Sequence, residues 1–325
     1  MGIRSIRSLC AATRVAATLL VLITGLALVA CGDPGASSSS SLEESPSPGS
    51  ATASPVSTPS PAATAASWRP GDDSLAATAK VAARWRALLR TERFAASDIW
   101  SPHAALDIWA FDVHATDAGA VKAVYTNAAP GSSWTAGHQF VAPGVAAWEG
   151  LYAGSGQKAS PALDLLAVSG GRVTREDVYL DASGGERAAP VAQWPSPPAR
   201  TDTIARTKKT AEAFADAMTD SGTLRLGRLL ADDLLFYDTA QNRPQRGATA
   251  LLLWWNSRTF AIAKPKADHG VIAGRGWAAV RWTATGGQTS TDEIAMPGVT
   301  VLEIRDGKVV RMTLYYDSAT LALHM

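Results

Sequence analysis

The side chains that could bind a metal or act as nucleophiles are few in this sequence and poorly placed for either role. Both cysteines, Cys10 and Cys31, lie in the first tenth of the chain, which leaves neither a disulfide framework nor a CxxC metal site. Three of the five histidines share one stretch with three aspartates: His103, Asp107, Asp112, His114, Asp117 and His138. Their spacings do not repeat a metal-ligand pattern, so the sequence predicts no metal site and no cofactor.

Tryptophan is a more informative residue type, because the chain contains 11 of them. Aromatic side chains either hold an apolar ligand in a pocket or fill a core. Those on predicted helices or strands include Trp109, Trp148, Trp254, Trp255, Trp277 and Trp282. Strand alternation places Trp282 on one face of its strand and Arg281 and Trp277 on the other, so only one of these faces can line a pocket. Three more lie in predicted loops, where they favour interdomain packing or an exposed binding surface: Trp68, Trp134 and Trp194.

The overall composition indicates a folded protein of two domains that does not bind nucleic acid. The 325 residues suffice for two domains of about 100 to 200 residues each. Hydrophobic residues make up 46% of the chain, which is enough to build buried cores. The 30 Lys and Arg residues balance 29 Asp and Glu residues, and no basic block or Lys/Arg-rich helix occurs. Nucleic acid is therefore not an expected partner.

Residues 1–30 have the pattern of a secretory signal. Three arginines precede an apolar run from 15 to 30, which is shorter than the roughly 20 residues of a membrane-spanning helix. The run ends in Leu-Val-Ala-Cys-Gly, in which the cysteine is Cys31. This ending resembles a bacterial lipobox. The resemblance implies cleavage before Cys31 and attachment of a diacylglyceryl group to its thiol.

Residues 31–71 are predicted to consist of the lipidated cysteine and a flexible tether. All but five of the positions from 32 to 67 are Ser, Pro, Ala, Thr or Gly, and such a segment cannot bury enough apolar surface to fold. As a flexible coil it spans about 30 to 40 Å. We therefore expect a protein anchored through Cys31 to the outer face of the cell membrane, extracytoplasmic, in a Gram-positive bacterium.

The rest of the chain, from residue 72 onward, contains an internal repeat. The segment that begins at Gly144, Gly-Val-Ala-Ala-Trp-Glu-Gly, is echoed by Gly-Trp-Ala-Ala-Val-Arg-Trp from Gly276 onward. A second pair of segments, 165–181 and 301–317, ends in Tyr-x-Asp in both members. The two pairs have nearly the same separation along the chain, so the two copies differ by a small loop insertion rather than in topology.

The repeat predicts two units, residues 72–183 and 201–325. Between them, residues 184–200 are rich in proline and form the predicted linker. Each unit is long enough to bury one core. We expect the two to pack side by side or as a pseudo-symmetric pair.

Local patterns predict the elements inside each unit. Apolar residues recur at helical spacing around Trp85 in the first unit and around Phe214 in the second, which indicates a helix at the start of each. A further helix is predicted over residues 247–260. Asp306-Gly307 between two apolar runs is typical of a β-hairpin.

This order of elements, with Asp-Gly-Lys-Val ahead of a closing strand that ends in Tyr-Tyr-Asp, resembles the SnoaL-like branch of the nuclear transport factor 2-like superfamily. The resemblance covers residues 201–319 and, less closely, residues 75–182. It implies an α+β fold of two tandem cone-shaped domains, each a curved mixed sheet wrapped around about three helices. Its members include polyketide cyclases, steroid isomerases and epoxide hydrolases as well as binding and assembly modules, so the fold does not decide the function.

The epoxide-hydrolase pattern within this superfamily is incomplete here. That pattern places an Arg and an Asp two positions apart on a central strand, and a second Asp at the end of the closing strand. Arg281 and Asp317 match it, but Thr283 stands where the first Asp belongs. The first unit departs further, with these equivalents: Glu149, Leu151 and Asp181. We therefore expect no epoxide-hydrolase mechanism.

A cyclase or isomerase requires less, namely one Asp as base and a Tyr or His donor that stabilises an enolate. The resemblance offers Asp238 with Tyr237, or Asp317 with Tyr315, as the catalytic pair. A structural role is the competing interpretation for both aspartates. Asp317 can cap its strand or pair with Arg281, and Asp238 can form an Asx turn.

The expected function is a binding or assembly module with an apolar pocket for a small hydrophobic ligand or an envelope protein partner. The alternative is a SnoaL-like cyclase, isomerase or hydrolase that uses an Asp as general acid and base in the second domain. The candidate ligand-binding residues of the second unit are Tyr237, Trp254, Trp255, Arg281, Trp282 and Tyr315. Those of the first unit are Trp109, Trp148, Tyr179 and Asp181.

Replacing the cysteine tests the predicted anchor. Cys31→Ser should release the protein from membranes or leave it as unprocessed precursor, because the attached acyl chains are what hold it there. Membrane fractionation and intact-protein mass spectrometry report both outcomes. Protein with Cys31→Ser that is still cut before residue 31 and still sediments with membranes would contradict the lipoprotein interpretation.

Overall fold

The structure is a computed structural model and describes ten ranges of the chain, which are residues 68–89, 97–127, 133–153, 159–181, 202–219, 223–239, 244–256, 264–267, 270–286 and 294–318. These residues form an α+β fold with two mixed sheets and few helices, arranged as two tandem units. The predicted signal, Cys31, residues 32–67 of the predicted tether, Trp194 and the linker 184–200 lie outside the described ranges. Residues 68–71, the end of the predicted tether, are described, and Trp68 is buried.

The first unit has a mixed six-stranded sheet. Its helices are α1 (Leu75–Leu89) and α2 (Ala118–Asn127), and a 3-10 turn covers Trp109–Phe111. Its strands are β1 (Trp100–Ile108), β2 (Val113–Ala115), β3 (Ser133–Ala142), β4 (Val145–Ala153), β5 (Ser160–Ser169) and β6 (Arg172–Leu180). The strand order is β2-β1-β6-β5-β4-β3, and β1 and β6 are its parallel pair.

The second unit repeats this arrangement. Its helices are α3 (Ile204–Thr219), α4 (Thr223–Leu229) and α5 (Ala248–Trp255). Its strands are β7 (Leu230–Asp238), β8 (Gln245–Arg246), β9 (Lys264–Lys266), β10 (Val271–Gly274), β11 (Trp277–Gly286), β12 (Ile294–Arg305) and β13 (Lys308–Tyr316). Read from β8 to β10, the order β8-β7-β13-β12-β11-β10 matches that of the first sheet, with β7 parallel to β13, and β9 pairs with β11 as a seventh strand.

Equivalent hairpin turns are fixed in the same way in both units, which supports the repeat seen in the sequence. Gly144 and Gly276 both have positive φ, 68° and 67°. Each donates its backbone N–H to a threonine hydroxyl of the unit's first helix, Gly144 to Thr78 at 2.9 Å and Gly276 to Thr207 at 3.0 Å. The alignment of these two glycines therefore also relates the strands that follow them, β4 and β11.

The second hairpin of each unit is also anchored at the helix start. Gly171 donates its N–H to Asp73 at 2.9 Å, and Gly307 donates to Asp202 at 3.1 Å. Both glycines have positive φ. Their alignment relates β6 to β13, and the predicted Asp306-Gly307 hairpin is confirmed between β12 and β13.

The helices bury the faces that their periodicity predicts. In α1 the buried residues include Val81 and Trp85, and in α3 Phe214 is completely buried. The helix predicted over residues 247–260 is observed as α5, which ends at Trp255. No helix among the described residues is long and apolar enough to cross a membrane.

Each sheet has a helix-covered face and an interdomain face. The helix-covered cores contain Trp85 and Trp148 in the first unit, and Trp254 and Trp282 in the second. The interdomain core is shared between the two units: Phe140, Ala147, Leu163, Tyr179, Trp277, Val299 and Tyr315. Of the two faces of β11 that strand alternation predicts, the one with Trp282 faces the helices of its own unit, and the one with Trp277 faces the other unit.

Replacing two glycines of the first unit separates the cost of a steric clash from the cost of backbone strain. A Cβ on Gly144 would lie 1.9 Å from the carbonyl oxygen of Gly71, whereas a Cβ on Gly170 would meet no atom within 4 Å. Both residues have positive φ. Gly170→Ala should therefore cost about 1 to 2 kcal/mol, and Gly144→Ala about 3 kcal/mol or more. Urea unfolding of both variants measures the difference, and equal costs would contradict the packing at Gly144.

Candidate functional site

The helix-covered face of the first sheet carries two buried carboxyl groups. Asp164 lies on β5 between Leu163 and Leu165, which point to the interdomain face, and Glu176 lies on the neighbouring strand β6. The side chains are 2% and 1% exposed. Strand alternation therefore turns both acids toward the helices of their own unit.

Aromatic side chains hold each carboxyl group by one hydrogen bond. The indole Nε1 of Trp85 on α1 donates to Oδ2 of Asp164 at 2.8 Å. The hydroxyl of Tyr125 on α2 donates to Oε1 of Glu176 at 2.5 Å. Asp164 and Glu176 also hydrogen-bond to each other. Their other oxygens, Oδ1 and Oε2, are buried and accept no hydrogen bond from any other described group.

The electrostatics of the pair differ from those of an ion pair. No Arg or Lys among the described residues forms a salt bridge with Asp164 or Glu176. Burial raises the pKa of Asp164 to about 6, although hydrogen bonds from Glu176 and Trp85 lower it. Burial, and then the neighbouring Asp164, raise the pKa of Glu176 well above its usual value. Near neutral pH the two carboxyl groups therefore retain a proton between them, so one can donate a hydrogen bond to the other.

Three rings surround the pair. The ring centroids of Trp85 and Trp100 lie 4.9 Å apart in an edge-to-face arrangement, and those of Trp100 and Tyr125 lie 5.8 Å apart and stacked. Trp148 is the cross-strand neighbour of Asp164. This arrangement combines apolar ring surfaces with a carboxyl pair that retains a proton near neutral pH. The pair can both donate and accept a hydrogen bond, and it can move a proton.

Neither acid belongs to a recognisable sequence motif, but one signal is available. Residues 160–169 of β5 are buried apart from Ser169, and Asp164 is the one charged residue among them. A lone acid inside an apolar strand must be hydrogen-bonded or functional. Identifying its partners requires the tertiary structure, since Trp85 lies on the first helix of the unit and Glu176 on the next strand.

The second unit lacks this pair. When the repeats are aligned on their closing Tyr-x-Asp, Thr300 and Met312 occupy the positions of Asp164 and Glu176. Thr300 accepts a hydrogen bond from the indole of Trp282 at 2.9 Å. The helix-covered face of the second sheet is therefore apolar where that of the first is acidic.

The expected pair of Asp238 with Tyr237 is not formed, because adjacent residues of β7 point to opposite faces. Tyr237 belongs to the interdomain core. Asp238 instead hydrogen-bonds to Tyr316, and burial, together with the charge of Asp238, raises the pKa of that tyrosine. The ring of Tyr316 lies 6.1 Å from that of Trp282. Asp238 and Tyr316 therefore lie together on the helix-covered face of the second unit.

Arg281 lies between the two sheets and does not pair with Asp317. Its Nη2 donates to Asp177 at 2.6 Å and its Nε to the hydroxyl of Tyr179 at 3.0 Å, both in the first unit. Arg175 also donates to Asp177, through Nε at 2.7 Å. Asp177 thus bridges two arginines. The expected set of Arg281 and Asp317 fails because β11 turns Arg281 toward the other unit.

A second charged cluster lies on the same interface. Arg311 is buried and donates to Glu149 of the first unit and, at 2.6 Å, to Glu303 of its own unit. The hydroxyl of Tyr315 donates to Glu149 at 2.9 Å. Burial opposes ionisation of Glu149, but Arg311 and His138 lower its pKa to about 2. Nitrogen and oxygen atoms of His138, Glu149 and Glu303 lie within 4.8 Å of one another, as metal ligands would, and Arg311 forms ion pairs with both carboxylates.

The remaining predicted site residues divide between the two faces. Trp109 stacks on Tyr179 at 6.3 Å in the interdomain region, and Trp68 is also there, with the Arg281 guanidinium 5.5 Å from its ring centre. The hydroxyl of Ser318 donates to the carboxylate of Asp181 across the units, with both carboxylate oxygens 2.9 Å from the hydroxyl oxygen. Residues of the helix-covered faces are Trp148, Trp254, Trp255 and Trp282. Trp134 packs there too rather than between domains.

Comparison with known proteins supports a SnoaL-like domain in the second unit. The family model of the SnoaL-like domain matches residues 211–312. Among curated proteins, no sequence matches the chain.

Similar solved structures each correspond to about a third of this chain. A protein with a ketosteroid isomerase-like fold from Catenulispora acidiphila, in complex with trimethylamine, is 21% identical, with a TM-score of 0.33, over 36% of this chain and 92% of its own. An NTF2-like protein from Mesorhizobium loti is 17% identical, with a TM-score of 0.32, and the match covers 34% of this chain and 95% of that protein. An LEH-like epoxide hydrolase from M. tuberculosis is 16% identical, with a TM-score of 0.32, and the match covers 37% of this chain and 90% of that protein.

The raised pKa of Asp164 predicts a pH-dependent cost of folding. Its value of about 6 lies above that of the unfolded chain, so stability is full at low pH and is lost as the pH rises from about 4 through about 6. Asp164→Asn removes this loss and should be more stable than the wild type at pH 7.5 by up to about 3 kcal/mol, a difference that vanishes below pH 4. Urea unfolding across this range measures it. The control is Asp98→Asn, at a side chain 74% exposed. Parallel stability curves for wild type and Asp164→Asn would contradict the assignment.

Proposed function

We propose that the protein binds a small, mainly apolar ligand at the helix-covered face of the first unit, where Asp164 and Glu176 hold a polar group of the ligand. One observation carries this proposal, namely that two carboxyl groups are buried together with no cationic partner among the described residues. Such a pair costs folding free energy, and buried carboxyl oxygens without partners are more typical of functional sites than of cores.

The chemistry of the pair favours a hydroxyl or carbonyl group on the ligand. With a proton retained between them, one carboxyl group can donate a hydrogen bond and the other can accept one, so the two together serve either group. The rings of Trp85, Trp100 and Tyr125 supply the apolar contact.

We also propose that this binding takes place outside the cell membrane, with the protein anchored through Cys31. The support is in the sequence: the basic and apolar segments of residues 1–30, the lipobox-like residues that end at Cys31, and the Ser/Pro-rich tether that follows. A tether of about 30 to 40 Å lets the folded units reach ligands near the membrane surface. An envelope protein is the other partner that this location favours.

Binding is tested with 1-naphthol, an apolar ring system with one hydroxyl, by quenching of tryptophan fluorescence. Asp164→Leu removes the acceptor and should weaken binding about tenfold or more, and Asp164→Asn, which keeps an amide oxygen, should weaken it less. Asp98→Asn, at an exposed side chain of the first unit, is the control and should leave the affinity unchanged. Equal affinity in all three variants would contradict the proposal.

Native mass spectrometry of the purified protein is an independent test, because it detects a co-purifying ligand.

Acid/base catalysis at the same pair is the second candidate. The separated pKa values of Asp164 and Glu176 favour it, because one group can remove a proton while the other donates a hydrogen bond to the resulting enolate oxygen. Isomerisation of 3-cyclohexen-1-one to its conjugated isomer tests it by ultraviolet absorbance. Turnover that disappears in Asp164→Asn, while 1-naphthol still binds, would support catalysis. Absence of turnover in the wild type would contradict it and leave the binding proposal standing.

A further inference from the structure

Two arginines are buried in the interface between the units, but their guanidinium groups are not equally well bonded. All three nitrogens of Arg311 donate hydrogen bonds to side chains, which are those of Glu149, Glu303 and Thr313. Nε of Arg281 donates to the hydroxyl of Tyr179, and Nη2 donates to Asp177. The remaining nitrogen of Arg281, Nη1, is buried and donates to no group among the described residues. Arg281 therefore has donors for a further acceptor.

Two indole N–H groups beside Arg281 also lack an acceptor. Cζ of Arg281 lies 5.5 Å from the ring centre of Trp68. Trp109 stacks on Tyr179, the tyrosine whose hydroxyl accepts a hydrogen bond from Arg281. Nε1 of each indole is buried, and neither donates to a group within the described ranges. Buried donors are nearly always hydrogen-bonded in folded proteins, so three exceptions around one tyrosine ring indicate a binding site for an acceptor.

The ion pairs around Arg281 allow this acceptor to be a carboxylate. In the described part of the chain, Arg281 pairs with one carboxylate, that of Asp177, and shares it with Arg175. Arg175 also pairs with Asp107, so two arginines balance two aspartates on this side of the interface. On the other side, the guanidinium of Arg311 lies between two carboxylates. A second carboxylate would give Arg281 the same surroundings, and a guanidinium binds a carboxylate more strongly than a neutral oxygen.

The 3-10 turn of residues 109–111 places the outer end of this site at the surface. Phe111 is 41% exposed, and so is the side chain of His114, whose ring lies 5.8 Å from that of Trp109. His114 bonds to Asp107 and to the exposed Asp112, and the hydrogen bond to Asp107 raises the pKa of His114. The site thus has aromatic rings toward the solvent and a guanidinium at its inner end, a combination that matches an aromatic ring bearing a carboxylate.

We propose that the interface between the units contains a second binding site, which takes a small aromatic carboxylic acid. The carboxylate accepts hydrogen bonds from Nη1 of Arg281 and from the indoles of Trp68 and Trp109, and the ring of the ligand lies against these indoles. Because Nη1 has no partner among the described residues, binding leaves the bonds of Arg281 to the first unit intact. The site lies on the opposite face of the first sheet from the acid pair, so it is independent of the ligand proposed there.

The test uses the full chain and 2-naphthoate, with binding measured by isothermal titration calorimetry near neutral pH. 2-Naphthamide has the same shape without the charge and is added as a competitor. It should reduce the apparent affinity for 2-naphthoate only at about tenfold higher concentration than a competing aromatic carboxylate, because its oxygen lacks the charge-assisted hydrogen bond. No binding of 2-naphthoate, or equally effective competition by the amide, would overturn the proposal.

Variants locate the bound carboxylate. Trp68→Phe and Trp109→Phe each keep an aromatic ring and remove one N–H group, so each should weaken 2-naphthoate binding about threefold or more. Trp134→Phe is the matched control, because it removes an indole N–H that is also buried without a described acceptor but lies on the helix-covered face of the first unit. This control should leave the affinity unchanged. Wild-type affinity in both Trp68→Phe and Trp109→Phe would overturn the proposal, since a merely structural role of these donors predicts that result.

Replacement of the arginine tests the inner end of the site. Arg281→Lys keeps the charge but loses the planar fork, and it should weaken 2-naphthoate binding about tenfold or more. Unchanged affinity in a folded Arg281→Lys variant would overturn the proposal. Should this variant fail to fold, Trp68→Phe and Trp109→Phe decide the question by themselves.

Discussion

Two guanidinium groups buried between the sheets are the constraint on which the rest of this structure depends. Arg281 and Arg311 are 1% and 3% exposed, and a buried cation that lacks a hydrogen-bonded carboxylate is strongly destabilising. Among the described residues, Arg281 pairs with Asp177 of the other unit, and Arg311 pairs with Glu149 of the other unit. These ion pairs require the sheet faces that carry them to lie between the two units. The opposite face of each sheet is then covered by the helices of its own unit.

The division into two faces explains why buried acids of the same protein have different properties. Burial opposes ionisation of Glu149, but Arg311 and His138 lower its pKa to about 2. Burial raises the pKa of Asp177, and the charges of Arg281 and Arg175 limit that rise. Asp164 and Glu176 are equally buried, but their hydrogen bonds come from an indole, a phenol and each other. Burial therefore raises their pKa values, and a proton remains on the pair near neutral pH. The interface uses carboxylates to neutralise charge, whereas the helix-covered face retains groups able to exchange a proton with a ligand.

The two units have the same topology but have diverged in chemistry. At the positions of Asp164 and Glu176, the second unit has Thr300 and Met312. Its own buried acid, Asp238, lies at the end of β7 and bonds to Tyr316. Sheet topology thus tolerates replacement of polar by apolar residues on the helix-covered face, because strand pairing depends on the backbone rather than on these side chains. A tandem arrangement in which one unit carries the acid pair and the other completes the interface follows from this tolerance.

The sequence alone determined the repeat, the positions of its helices and hairpins, and the two alternative faces of β11, because these follow from local periodicity and turn residues. The α+β class was implied by the resemblance to SnoaL-like domains. Which face turns inward was decided only by tertiary structure, since it depends on charges far apart along the chain, such as Arg281 and Asp177. For the same reason Arg281 and Tyr315 match a catalytic pattern in the sequence but lie in the interface. The pair of Asp164 and Glu176 was likewise invisible as a motif, because its pKa values arise from burial and from contacts with Trp85 and Tyr125 on distant helices.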